Sequence, residues 1–218
     1  MNLREALEET LRARPFLEEA LNEDLINLSS MARLLLPDIQ RLTNKDIKES
    51  AVVMAIRRRE PALQLKLQHK LQQFIRTLGD ITVRSNLMVC TYSKTSSLSG
   101  ALNNFLVAIN NRPEGFYSIS TGLEEITLVI SQEFTEDLNK AFENEKELER
   151  SSNLSSISLR LPTKNSEVIG LYYFFFKHIA QAGINIREII STTNEATFIV
   201  NNEDVDKAFI TINSIKRI

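Results

Sequence analysis

The stretch GLYYFFFKHIAQAGINI, from Gly170 to Ile186, decides how the rest of the chain is read. Its first part has helical spacing. Ile169, Tyr172, Tyr173, Phe176 and Ile179 recur at i, i+3, i+4, i+7 and i+10, with Phe175 and Ala182 beside them, so the spacing predicts one wide apolar face. Phe174 and Lys177 fall off that face. Gly183 sits just past the aromatic run, where a left-handed residue ends a helix. The run Ile184-Asn185-Ile186 then opens a β-type segment. Gly170 lies in the predicted first turn, where glycine lets another group approach the backbone. The free N–H groups of that turn form an expected pocket for a small anion such as a carboxylate.

Outward from this helix the pattern repeats. After Asp80, β-branched segments alternate with helix-length ones. Strands are expected at 81–93, 115–121 and 125–132, with helices at 95–111 and about 135–147. The order recurs as strand 156–162, helix 166–182, strands 185–192 and 196–201, and helix 204–214. Asp137-Leu138-Asn139-Lys140-Ala141-Phe142 matches Asp204-Val205-Asp206-Lys207-Ala208-Phe209 at four of six positions, 67 residues apart. The same offset pairs Asn86-Leu87 with Asn153-Leu154 and Ile119 with Ile186. Two β-α-β-β-α units suggest two ferredoxin-like βαββαβ domains. Residues 148–155 are the candidate fourth strand of the first, and Ile215–Ile218 that of the second.

Residues 1–79 read as helices. Leu3, Leu7 and Leu11 form one stripe, and Pro15 starts a second helix. Ser29 or Ser30 caps a third, which carries Met31, Leu34, Leu35 and Ile39 and which Pro37 is expected to kink or shorten. Asn44 is the expected cap of a helix over 45–60, with Ile47, Ala51, Met54 and Ala55 inside. Pro61 starts a last helix ending at Gly79. The fold class is therefore α+β: a helical domain over 1–79, then domains over 80–150 and 151–218.

Composition narrows the function. The chain has 218 residues, 43% hydrophobic and 25% charged, with a net charge of only −2. Such a balance gives no strong field for steering nucleic acid. The six glycines are too scattered for a phosphate-cradling GxGxxG or GxxxxGK[ST] loop. His69 and His178 lie in different predicted helices, and no paired-cysteine metal spacing occurs. Cys90, the one cysteine, reads as a small buried residue rather than a nucleophile. The N-terminus lacks an apolar signal core, and no run reaches the ~20 apolar residues of a membrane span. The expectation is a cytoplasmic protein without cofactor, metal or catalytic residues.

The elements Gly170-Leu171-Tyr172 and Ala182-Gly183-Ile184-Asn185-Ile186, with Glu188–Phe209 after them, resemble the ACT domain, a regulatory βαββαβ module. The likeness extends to the repeats at the end of aspartokinases. It covers about 156–214 and, more weakly, 81–147, where Gly100 stands near the helix start without an Ala-Gly-Ile-Asn. Ile169 replaces the family's proline before the glycine. The 79 helical residues leave no room for a kinase domain, and they resemble the N-terminal part of small ACT-containing regulators.

The resemblance implies paired domains that bind an amino acid at their interface; the first repeat lacks the glycine pair that shapes the pocket, so one site per chain is expected rather than two. By position, Thr163, Lys164, Asn165, Val168, Ile169 and Gly170 would line one side, and Asn185 and Ile186 would offer backbone groups. The expected protein is a homodimeric, non-catalytic sensor. An alternative is a DNA-binding regulator using the helical domain. Residues 45–76 hold eight Lys/Arg against three Asp/Glu, including Lys45, Lys48, Arg57, Arg58 and Arg59. Against it, residues 1–79 hold 13 basic and 11 acidic side chains, a balance of only +2. Another alternative is a regulatory subunit that docks on an amino-acid biosynthetic enzyme.

Overall fold

The computed structural model describes residues 1–22, 25–59 and 70–216. The chain divides into two compact units, Met1–His69 and Lys70–Ile218. Residues 70–79, read from the sequence as the end of the helical domain, therefore belong with the sheet. The first part of that predicted helix, from Pro61 through His69, lies outside the described residues.

The helical unit contains α1 (Leu3–Arg12), α2 (Pro15–Asn22), α3 (Leu28–Thr43) and α4 (Glu49–Arg57). Asn2 and Glu5 form a reciprocal capping box that starts α1. Leu7 and Leu11 bury against Met31, Leu35 and Ile39 of α3 and Val52 and Ile56 of α4. Three local expectations are corrected. Asn27 caps α3, accepting from the N–H groups of Ser29 and Ser30. Asn44 ends α3 in the left-handed region (φ 53°) rather than starting the next helix. The buried face of α4 is Val52 and Ile56, and Met54 is 45% exposed. Because α4 starts at Glu49, Ile47 lies outside it, and the side that packs on α1 and α3 is about one residue, or 100°, round from the one expected.

The second unit is built on one antiparallel sheet of order β2-β3-β1-β4-β6-β5. Its elements are β1 (Ile81–Ser93), α5 (Leu98–Ile109), β2 (Tyr117–Thr121), β3 (Glu125–Ser131), α6 (Thr135–Ala141), β4 (Glu147–Arg160), α7 (Leu171–Gln181), β5 (Ile186–Thr192), β6 (Glu195–Asn201) and α8 (Val205–Ile215). The two β-α-β-β-α halves foreseen in the sequence are both present. They do not form two separate four-stranded sheets. β1 and β4 are long strands lying side by side, and each serves both halves. The stretch of β4 that pairs Ser151 with Val89 and Glu149 with Thr91 is the fourth strand of the first half. The start of β1, pairing Ile81 with Leu159 and Val83 with Ile157, is that of the second. Ile215 is the last residue of α8, not part of a strand, and 217–218 lie outside the described residues.

Each long strand bends where it changes halves. Asn86 and Asn153 adopt φ of 58° and 57°, a left-handed conformation that asparagine tolerates better than most side chains. Next to them, Leu87 faces Leu154 at the pseudo-twofold of the pairing. The helices cover one face of each half. Phe105 of α5, Leu138 of α6 and Leu128 of β3 share the first core. Phe175 of α7, Ile212 of α8 and Phe198 of β6 share the second, with Ile75 and Leu78 added from the segment before β1. On the other face Leu87, Val129, Leu154 and Ile199 form a smaller cluster drawn from both halves.

The register of the repeat differs from the one suggested by its best sequence match. The long strands are offset by 67 residues, as Asn86 and Asn153 show. From the first helix of each half onward the offset is 70. Phe105 matches Phe175, Leu128 matches Phe198, Leu138 matches Ala208 and Phe142 matches Ile212, all buried. The shared Asp-x-x-Lys-Ala-Phe motif is therefore displaced by three residues. Phe142 is buried, whereas Phe209 is 37% exposed. The three extra residues enter between β4 and α7, in the loop 161–170.

Candidate ligand-binding site

The loop 161–170 leaves the end of β4 and is tied to the β5–β6 turn. The Leu161 N–H donates to the Asn194 carbonyl at 2.7 Å. The Asn165 side chain is buried, and its Nδ2 donates to the carbonyls of Pro162 (2.8 Å) and Thr193 (2.6 Å). A single 3-10 turn, Asn165–Glu167, follows, closed by Val168 N–H to the Asn165 carbonyl at 3.1 Å. Asn165 thus positions the loop and its amide nitrogen is already engaged. Thr163 and Lys164 are exposed, Val168 is half-buried and Ile169 is 70% exposed.

Gly170 caps α7 at φ 85°, so it precedes the helix rather than lying within its first turn. Gly170, as the N-cap, has no side chain with which to accept a hydrogen bond from the first turn. A Cβ built on Gly170 would meet nothing within 4 Å, so the space beside its backbone is open. The N–H groups at the start of α7 are of the kind that meet a carboxylate. The aromatic face differs in phase from the sequence reading. Leu171, Phe175 and Ile179 are its buried centre, Tyr172 and Phe176 flank it, and Tyr173 is exposed. Phe175 and Phe176 both pack on Phe198, with ring centroids 5.8 and 6.2 Å away. The helix starts at Leu171, which leaves Ile169 outside it, and packing on β6 selects the Leu171, Phe175 and Ile179 side.

Gly183 terminates α7 at φ 67°, and Ile184 N–H reaches the Ile179 carbonyl at 3.2 Å, the six-to-one bond of a Schellman end. Asn185 is exposed, and Ile186 pairs with Val200 at the start of β5. These two residues lie at the far end of α7 from the loop. An 11-residue helix rises about 16 Å. Within one chain, therefore, the structure keeps Asn185 and Ile186 apart from Thr163–Gly170. What faces the loop is the turn Thr192–Glu195. The sequence signal for it was the Thr-Thr-Asn-Glu run between two strands, read only as a connection.

Of the basic residues considered for nucleic acid, Lys45, Lys48, Arg57 and Arg58 are exposed. Arg59 is not available. Its side chain is 15% exposed, donates to both Glu8 oxygens at 2.8 and 3.2 Å, and also binds Glu18. Burial lowers the Arg59 pKa, but the hydrogen bonds to Glu8 and Glu18 outweigh it and hold the guanidinium charged. A cavity of about 530 Å³ borders Lys45 and Lys48, but Leu3, Ile47, Ala51 and Met54 line it as well.

In the sheet unit, titratable groups also gather around Arg150. Its Nε donates to Glu147 at 3.0 Å, Nη1 to Asn139 at 2.9 Å and Nη2 to the Tyr92 hydroxyl at 3.2 Å. Burial pushes the nearby Cys90 thiol up to about 11, with Arg150 opposing and Glu147 reinforcing the shift. The thiol is thus protonated near neutrality and poorly suited to nucleophilic work. Among the described residues no group of three His, Cys, Asp or Glu side chains is placed to hold a metal ion. Among them, too, no helix is long and apolar enough to cross a membrane.

No family model matches the sequence, and no curated protein does. Solved structures do match the fold. The aspartate kinase of Clostridium acetobutylicum superposes with a TM-score of 0.53 at 18% identity, over 64% of this chain and 35% of that one. The ligand-free regulatory subunit of aspartate kinase from Thermus thermophilus gives 0.51 at 10% identity, over 64% of this chain and 99% of the subunit. A structure of aspartokinase alpha and beta subunits gives 0.52 at 13%, over 65% of this chain and all of that one. The chain thus spans about a third of the Clostridium enzyme and nearly all of the Thermus subunit. About two thirds of the chain thus shares its fold with the regulatory subunit of the Thermus aspartate kinase, in keeping with the likeness read from the Gly170–Ile186 stretch.

Proposed function

We propose that this chain is a non-catalytic regulatory protein that senses an amino acid at an interface between two copies of itself. The observation that carries this reading is the open, uncapped start of α7 behind Gly170. The likeness to a regulatory subunit supports it at the level of fold. One copy would supply Thr163, Lys164, Val168, Ile169 and Gly170, with Asn165 holding the loop. The second copy would bring Asn185 and Ile186, which lie too far away in the same chain. The α7 amides would take the effector carboxylate, and carbonyls from the partner's strand start would take its ammonium. A cytoplasmic setting accords with the single unpaired thiol.

The test is thermal unfolding of the purified protein with each common amino acid at millimolar concentration, alongside its mass in solution. An effector at 100 times its Kd stabilises the native state by about 2.7 kcal/mol, a readily measured rise in midpoint. Gly170→Val should abolish the rise, because a β-branched residue is strained at this φ and fills the open space. A rise that survives in Gly170→Val would place the effector elsewhere. A monomer in the presence of the effector would remove the shared site.

A further inference from the structure

In the helical unit α1, α3 and α4 share one core, and Val52 and Ile56 are the side of α4 that enters it. At about 100° per residue, Ser50, Met54, Arg57 and Arg58 fall on the opposite side, and all four are exposed. The short turn 44–48 leads into this helix, with Asn44 in the left-handed conformation at φ 53°. The turn adds Lys45 and Lys48, which are exposed as well. Lys45, Lys48, Ser50 and Met54 border one depression, so the turn and the outer stripe of α4 are neighbours. Two cations thus precede α4, two stand at its end, and Ser50 and Met54 lie between them.

The nearly even charge balance of this region hides an uneven distribution. Many of its carboxylates are engaged internally. Glu8 and Glu18 bind Arg59, Asp38 binds Arg14 and Arg41, and Glu49 lies 3.8 Å from Arg33. Lys45, Lys48, Arg57 and Arg58 join no ion pair among the described residues. Asp46 lies among them and accepts from Gln40 Nε2 at 3.3 Å. Arg4 and Arg12 are exposed too, but α1 sets Glu5, Glu8 and Glu9 beside them. The unanswered positive charge is therefore concentrated around α4. Nine residues give α4 a rise of about 13 Å, close to the roughly 12 Å width of the major groove of B-form DNA. The cations at its two ends are spaced to meet phosphates at the rims of such a groove.

We propose that this surface binds double-stranded DNA, with α4 in the major groove. Two helices joined by a short turn, the first braced by a third helix and the second facing outward, are the arrangement by which such helices reach base edges. Lys45, Lys48, Arg57 and Arg58 neutralise phosphates, which supplies affinity without sequence information. Ser50 and Met54 face the bases. The hydroxyl can donate to or accept from a base edge, and the thioether packs against a thymine methyl. An acidic protein partner would answer the same cations, but a protein interface is centred on a buried aromatic or similar anchor. Here the centre is one methionine and one serine, which suits a groove lined by base edges. The surface shares no residue with the site at the start of α7 and does not rest on that reading.

The experiment is fluorescence anisotropy of a labelled duplex of about 30 base pairs, titrated with the full chain between about 50 and 200 mM NaCl and without amino acid. Selection from a randomised duplex library follows. Four phosphate contacts give log K a slope of about −3.6 against log salt, so affinity should fall about 150-fold over that range. Lys45→Gln, Lys48→Gln, Arg57→Gln and Arg58→Gln should each flatten the slope by about 0.9. Lys140→Gln makes the same charge change in the sheet unit and should leave the slope as it is. Selection should return a sequence family bound at least about 100-fold more tightly than a scrambled duplex. Ser50→Ala with Met54→Ala should shrink that preference and keep the parent's salt slope. Circular dichroism confirms that each variant is folded. No binding at about 50 mM NaCl with protein up to about 100 μM overturns the proposal. So does an unchanged slope in all four cation variants, or equal affinity for selected and scrambled duplexes. Poly-L-glutamate bound as tightly as the selected duplex would also overturn it, in favour of an acidic protein partner.

Discussion

Arg59 shows how a side chain's role changes once its neighbours are known. In the sequence it closes a triple-arginine run and reads as a phosphate contact. In the fold it ties the end of α4 to Glu8 of α1 and Glu18 of α2, and Glu18 is itself only 9% exposed at its side chain. Arg59→Ala would leave that carboxylate with little water and no cation. Removing one member of a buried pair costs about 3–5 kcal/mol, and the partial exposure of Glu8 favours the lower end. Urea unfolding followed in the helical unit should show a loss of about 3 kcal/mol, whereas Arg57→Ala should change stability by under about 0.5 kcal/mol. Asp38 supplies a pH-dependent counterpart. The hydrogen bond from Arg14 holds its pKa below the ordinary value, slight burial opposes this, and the charges of Arg14 and Arg41 add to it. Its stabilisation is therefore full above the ordinary carboxylate pKa of about 3.9 and disappears as pH falls through the lowered folded value. Asp38→Asn should be less stable than the parent at pH 7, and the gap should close as pH falls below the ordinary carboxylate range and through the lowered folded value.

At the scale of elements, the long strands and their left-handed asparagines set the architecture. The Asn-Leu pairs at 86–87 and 153–154 were visible as a repeat, but only the pairing shows them bending two strands across two half-sheets. Gly115 marks another constraint. A Cβ there would sit 1.9 Å from the Cζ of Phe134, a ring buried in the first core and contacted by Phe105. Gly115→Ala should therefore destabilise by about 1–3 kcal/mol through overpacking, and Gly100→Ala, with open space around it, should not. Denaturant midpoints of the two variants make the comparison. The helix periods in this region were legible, yet their phase was not. In α4 and α7 the buried face is turned from the one the spacing suggested, because several apolar sides were available and the tertiary partners chose between them. The displaced Asp-x-x-Lys-Ala-Phe match has a related cause: three residues make nearly one helical turn, so the wrong offset still places similar residues on roughly similar faces.

At the scale of the molecule, the sheet joins what the sequence divided. Residues 70–79 contribute Ile75 and Leu78 to the second core, and Lys216 Nζ donates to the Gly79 carbonyl at 2.6 Å. A fragment starting at Lys70 should fold with the near-native amide exchange pattern of the sheet. One ending at residue 150 should not, because it removes residues 151–160 of β4 and leaves Ile81–Arg84, Leu87 and Val89 of β1 without their β4 partners. Hydrogen exchange on the two fragments distinguishes these outcomes; equal protection in both would show that the halves fold independently.

The sequence by itself determined the helix and strand order, the division into an all-helical part and a repeated α+β part, and the Gly183 helix end. Each follows from local periodicity or from the few backbone conformations glycine favours. It also carried the ACT-like resemblance that the solved structures match in fold. Only the tertiary structure decided that Asn165 is occupied within its loop, that Asn185 and Ile186 lie a helix length from Gly170, and that Arg59 is paired while Arg57 and Arg58 are exposed. These depend on which backbones lie side by side, and strand exchange between the two halves is a long-range pairing that leaves no local mark.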